Sequence, residues 1–291
     1  MTAREKCIEA LKKELAPFAF KDIIIEDKDV SLNQLDSDYV RDYVEGLHNL
    51  AKTLGVRDSD LGLNGVITLE FVASQKDNTG TLIGGGFCEN FRILLDAYDS
   101  AFAHEWIHAI DALKYNLDHH LPLDKTHEET YGFILKHERD GRASNGMEFP
   151  AGYRRQAEAF DKEARKAKGK DYKYLTKNTE MLAHGMESWL SDQFKESGYE
   201  RAFVVRDDGF YKENVNGLYP SAGDAQKIAE TGLSIIEDLK EAGLLCRSNP
   251  LYVDVDRGAL LDDVIDACSD AAQERKQYTR SAFIGRDASA R

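Results

Sequence analysis

Ile8, Leu11 and Leu15 recur at helical spacing over residues 1–16. Pro17 ends that run, because proline has no amide hydrogen and its ring crowds the preceding turn. KDIIIEDKDV predicts a short strand. Val40, Val44, Leu47 and Leu54 then form an apolar stripe, with Asp36 or Ser37 as N-cap and Gly55 as the closing residue. The texture changes after residue 60. NGVITLEFVAS, TLIGGGF and NFRILLDAY are β-branched or aromatic runs broken by Gly, Asn and Asp, and three in succession predict antiparallel strands.

An apolar run with helical character follows, DSAFAHEWIHAIDAL. Residues 114–150 are polar, weakly periodic and expected to be partly loop. YRRQAEAFDKEARKAKGK predicts a surface helix with a charged outer face. NTEMLAHGMESWLSDQF predicts another helix, starting near Asn178 or Thr179. NVNGLYPSAGDAQ is rich in turn residues. Beyond it Ile228, Leu233, Ile236 and Leu239 mark an amphipathic helix, and LLDDVIDACSDAAQERK a further one. QYTRSAFIGRDASAR is a basic, Ser/Ala-rich tail. No repeat and no Pro/Gly linker divides the chain. The expected organisation is an N-terminal helical extension over 1–55, a main domain over 56–245, and a C-terminal helix with basic tail over 246–291.

Composition narrows the partners. With 291 residues the chain can bury a sizeable core, and its formal net charge of −14 repels nucleic acid and anionic lipid, so neither is an expected bulk partner. No apolar run reaches the roughly 18 residues of a membrane span. MTAREKCIEALKKELAPF has no apolar core and does not read as a signal peptide. Cys7, Cys88, Cys246 and Cys268 are scattered, which fits a reducing compartment better than a disulfide framework. A cytoplasmic protein is expected.

HEWIH is the pattern His104-Glu105-Trp106-Ile107-His108. Four residues make about one helical turn, so both imidazoles leave one face and can offer nitrogens to one zinc ion. Glu105 lies one step round the helix, placed to take a proton from water held by the metal. That is the chemistry of a metallopeptidase. The competing reading is two core histidines satisfied by backbone or carboxylates. Phe102, Trp106, Ile110 and Leu113, with several alanines, predict a helix buried almost all round, where two histidines need partners.

A catalytic zinc needs a third protein ligand and an open position. Asp111 shares the face of His104 and His108. It is a possible ligand, but a carboxylate at that place more often accepts a hydrogen bond from a ligating imidazole. Glu180, in NTEMLAHGMESW, is the better third ligand, and His184 and Glu187 follow on its stripe. His184 is read as an orienting group or substrate contact rather than a ligand. His119, His120, His127 and His137 either line a lid or are exposed loop histidines, the second being the simpler reading.

FAHEWIHAIDAL followed by YLTKNTEMLAHGMESWL resembles the metallopeptidase-like domain of large polyvalent proteins of phages and conjugative elements. In that family a HEWxHxxD helix precedes a helix of the form Glu-Met-Phe-Ala-Arg-Ala-Phe-Glu. The arrangement is also similar to the catalytic domain of anthrax toxin lethal factor, a gluzincin. The resemblance spans roughly residues 60–240. It implies an α+β, zincin-like domain with a small antiparallel sheet packed on the HExxH helix. It implies His104, His108 and Glu180 as zinc ligands, Glu105 as general base, and Asp111 as an acid that supports a ligand. It also implies Tyr174 as a hydroxyl that steadies the oxyanion, and NFRILLDAY as the edge strand that binds extended peptide. Ile107 stands where the family usually has Gly, and Ala183-His184-Gly185 where it has Ala-Arg-Ala.

The expected function is therefore a zinc-dependent metalloendopeptidase acting on a protein or peptide substrate. It would be phage or mobile-element encoded, working in the bacterial host cytoplasm or packaged in a virion. The rival is a catalytically silent, zinc-stabilised binding protein, in which His184 or Asp111 fills the fourth coordination position.

Overall fold

A computed structural model of the chain describes residues 3–25, 37–72, 75–76, 82–83, 85–88, 91–96, 101–120, 148–169, 172–198 and 218–246. Helix α1 (Ala3–Leu15) buries Leu11 and Leu15 and ends at the turn Ala16–Phe18, with Pro17 in it. Ala19 closes the turn in the left-handed region, and strand β1 (Asp22–Ile25) follows. Helix α2 (Ser37–Leu54) buries Tyr43, Val44, Leu47, Leu50 and Leu54, and Gly55 takes the positive φ that ends it. The strands β2 (Thr68–Val72), β3 (Gln75–Lys76), β4 (Leu82–Ile83), β5 (Gly85–Cys88) and β6 (Arg92–Asp96) come next. Helix α3 (Phe102–Asp118) carries HEWIH and runs one turn further than the sequence suggests. Helices α4 (Ala151–Lys168), α5 (Asn178–Glu196) and α6 (Ala222–Glu241) complete the described elements.

Four strands form one sheet in the order β1-β2-β6-β5. β1 and β2 are parallel, as are β2 and β6, while β5 is antiparallel to β6. The expectation of an antiparallel sheet is thus corrected: its three-strand body is parallel. Parallel neighbours need a crossover of a dozen or more residues, and here α2 fills the connection from β1 to β2. Between β2 and β6 the chain makes the β3–β4 hairpin and the returning strand β5. Within the four-stranded sheet only the short β5–β6 connection is of hairpin length.

A second correction concerns NFRILLDAY. Its strand, β6, is paired on both sides, by β2 and β5, so its backbone groups are already used by the ladder. The edge strand nearest the HEWIH helix is β5.

The core sits between sheet and helices. Leu69, Phe71, Ile93 and Leu95 from the sheet meet Phe102, Trp106 and Ile110 of α3 in one hydrophobic cluster, which Met186, Leu190, Ile228 and Ile236 extend through α5 and α6. Among the described residues no helix is long and apolar enough to cross a membrane. The expected helix LLDDVIDACSDAAQERK, the basic tail, and His127 and His137 lie outside the described residues. His119 and His120 are exposed at the end of α3, in keeping with the simpler reading of them.

Candidate metal centre

The centre forms where α3 crosses α5. Helix α3 is buried on nearly every side, so His104 (3% exposed) and Glu105 (6% exposed) are held inside the protein and His108 opens toward its rim. Helix α5 presents Glu180 in its first turn, where the positive end of the helix dipole favours a carboxylate. His184 and Glu187 follow one and two turns later, and both are fully buried.

His104 Nε2 lies 3.2 Å from His108 Nε2 and 3.5 Å from Glu180 Oε2, and His108 Nε2 lies 3.8 Å from Glu180 Oε1. Ligands about 2.0–2.1 Å from a tetrahedral zinc ion stand about 3.3–3.4 Å from one another. The three side chains therefore already have nearly the spacing such an ion needs. One of these atoms, Glu180 Oε2, is buried without a hydrogen-bond partner. A buried carboxylate oxygen left so is costly, and a cation among these three ligands removes the cost. The donor set, two imidazoles and a carboxylate, suits zinc.

On its other side His104 Nδ1 lies 3.3 Å from Glu187 Oε2, which also accepts a hydrogen bond from the Tyr219 hydroxyl at 3.1 Å. A carboxylate behind a ligating imidazole fixes the ring and its tautomer. Asp111 is buried on α3 one turn beyond His108.

Without metal the charges are set by these neighbours. Burial opposes a charge on His104, but Glu180, Glu187 and Glu105 outweigh it and raise the imidazole to about 10. Burial lowers His108 to about 4 against the pull of Glu180, with His104 adding repulsion. Burial also lowers His184 to about 4, again with repulsion from His104. Burial would raise Glu180, but its charge contact with His104 at 3.5 Å and the surrounding histidines hold it well below the usual carboxylate range. The metal-free centre thus holds a proton on His104 where a cation would sit.

Helix α4 aims two tyrosines at the site. The fully buried carboxylate of Asp161 accepts hydrogen bonds from the backbone N–H groups of Tyr174, Leu175 and Thr176 at 3.0–3.1 Å, and from the Thr176 hydroxyl. That pins the turn before α5, and the Tyr174 hydroxyl meets His184 Nε2 at 3.2 Å. Tyr153 donates its hydroxyl hydrogen to the Leu218 carbonyl at 2.9 Å, and Gln156 Nε2 donates to the Tyr219 carbonyl at 2.5 Å. Those bonds fix the turn that carries Tyr219.

His104, His108, Glu180, His184, Glu187 and Tyr174 are thus brought into one neighbourhood, with Glu105 on the same helix as the two N-terminal histidines. Tyr219 was not foreseen. It sits in the turn-rich stretch NVNGLYPSAGDAQ, which carries no periodic signal. The class the geometry defines is a buried two-histidine, one-carboxylate centre able to hold a metal ion. Residues 166–243, which include Tyr174, Glu180, His184, Glu187 and Tyr219, match large polyvalent protein-associated domain 1. That agrees with the resemblance to polyvalent proteins, and the matched stretch does not include the HEWIH helix. No curated protein and no solved structure matches the chain.

Proposed function

We propose that the chain is a phage- or mobile-element-encoded, zinc-dependent metalloendopeptidase of gluzincin type, acting on a protein or peptide substrate inside a bacterial host. The observation that carries the reading is the convergence of His104, His108 and Glu180 at the spacing of one tetrahedral ion. Among the described residues that group contains those three alone, which leaves a fourth position for water or substrate. His184 groups with His104 and Glu187, and its Nε2, 3.9 Å from Glu180 Oε2, is engaged by the Tyr174 hydroxyl at 3.2 Å, which favours the enzyme over a closed, purely structural zinc.

Zinc bound there supplies a Lewis acid and lowers the pKa of a coordinated water. The chain's own residues do the rest. Glu105 takes the proton of the attacking water and returns it to the leaving amine. The Tyr174 hydroxyl, oriented by His184, donates to the developing oxyanion. Glu187 holds His104 in the tautomer that leaves Nε2 free to ligate. The match at 166–243 supports the polyvalent-protein setting.

The test is Glu105→Gln assayed on a mixed peptide library by mass spectrometry, with zinc content measured in parallel. Cleavage by the variant should fall about 10²–10⁴-fold or more below that of the wild type while zinc stays bound. Cleavage that survives the change rules the mechanism out.

A further inference from the structure

His104 carries two ring nitrogens and each faces a different ligand group. Nε2 belongs with His108 and Glu180. Nδ1 belongs with His184 and Glu187, a second set of two imidazoles and one carboxylate whose ligand atoms lie close together. In this inner set Glu187 Oε2 stands 3.3 Å from His104 Nδ1 and 3.7 Å from His184 Nδ1. Those separations also approach the edges of a tetrahedron around a small divalent ion, about 3.3–3.4 Å. All three side chains are buried: His104 is 3% exposed, His184 and Glu187 not at all. His184 Nδ1 is itself buried without a hydrogen-bond partner. A neutral imidazole does not ordinarily leave a nitrogen unsatisfied inside a protein. Its other nitrogen is already engaged with the Tyr174 hydroxyl.

We propose that His104, His184 and Glu187 form a second, inner position for a divalent transition-metal ion, on the opposite side of the His104 ring from the outer group. Nitrogen-rich ligands of this kind suit zinc, cobalt or copper rather than magnesium or calcium. The two positions share His104, so one ion occupies either. Two ions fill both only when His104 bridges them as an imidazolate, having released both its ring protons to solvent. An ion in the inner position takes Glu187 from its orienting contact with His104, so a second equivalent of metal disturbs the outer one. The inference does not depend on peptidase activity.

Cobalt(II) is the probe, because its visible absorption reports coordination geometry. The double variant His108→Gln/Glu180→Gln removes the outer ligands but keeps the inner set. It should still bind one cobalt, read by equilibrium dialysis and by the visible bands, and adding His184→Phe should weaken that binding by tenfold or more. In the wild type a second equivalent should bind at higher cobalt concentration and be lost in His184→Phe, with the first retained. No cobalt on a folded double variant overturns the proposal. If the double variant does not fold, the wild-type titration decides alone, and absence of a His184-dependent second equivalent overturns it. Failure of the outer group looks different: the double variant would then keep the wild type's full affinity for the first ion.

Discussion

The Nδ1 atom of His104 lies 3.3 Å from Glu187 Oε2, across the interface of two helices, and Tyr219 donates to the same oxygen. The contact fixes the ring plane so that Nε2 points at His108 and Glu180. Glu187→Ala should therefore weaken metal binding by about 10–100-fold. Competition against a chromophoric chelator measures it. Unchanged affinity would mean that His104 is oriented by something else.

Metal uptake should depend on pH through His104. Its pKa in the metal-free protein is raised to about 10, so at neutral pH an incoming ion displaces a proton from it. Apparent affinity should rise about tenfold per pH unit from 7 to 9 and flatten near 10. Stability of the metal-free fold carries matching signs. A raised histidine pKa contributes stability that is complete below about 6.5 and lost as pH rises toward 10. His108 and His184 are lowered to about 4, so stability is also lost as pH falls from about 6.5 to 4. Denaturant melts of the metal-free protein across pH should show a maximum near neutrality. A flat metal affinity from pH 7 to 9 would contradict the protonated His104.

Helices α5 and α6 approach closely at two glycines. A Cβ added at Gly185 would stand 2.5 Å from Ile228 Cγ2 and 2.9 Å from its Cβ, and one at Gly232 would meet the side chain of Met186. Alanine in a helix interior gains about 1 kcal/mol over glycine. Overpacking costs about 1–3 kcal/mol. Ile228 is β-branched and stiff, whereas Met186 is flexible. Gly185→Ala should therefore be a net loss of up to about 2 kcal/mol by urea unfolding, and Gly232→Ala nearer neutral. Equal effects would show that the helices separate freely.

The helices of the centre were legible because their signals are local. HEWIH lies on a helix whose apolar residues run all round it, and burial of that helix follows from the pattern alone. Glu180, His184 and Glu187 share a stripe that helical spacing exposes in the sequence, and the structure keeps them together. Strand direction was not legible. The runs around Leu69, Gly85 and Ile93 read alike, and whether neighbours are parallel depends on which strands pair, a non-local matter. β2 pairing in parallel with both β1 and β6 is what makes the body of the sheet parallel. Asp161 and Tyr219 were equally hidden. Each is one polar residue, the first on a helix whose outer face is charged, and its role exists only once a distant turn folds against it.

The central claim is that His104, His108 and Glu180 hold one metal ion. Elemental analysis of purified wild type beside Glu180→Ala tests it most directly. About one zinc per chain in the wild type, lost or sharply weakened in the variant, is the predicted result. No zinc in the wild type even after zinc is restored, or zinc held by the variant as tightly as by the wild type, would contradict the account.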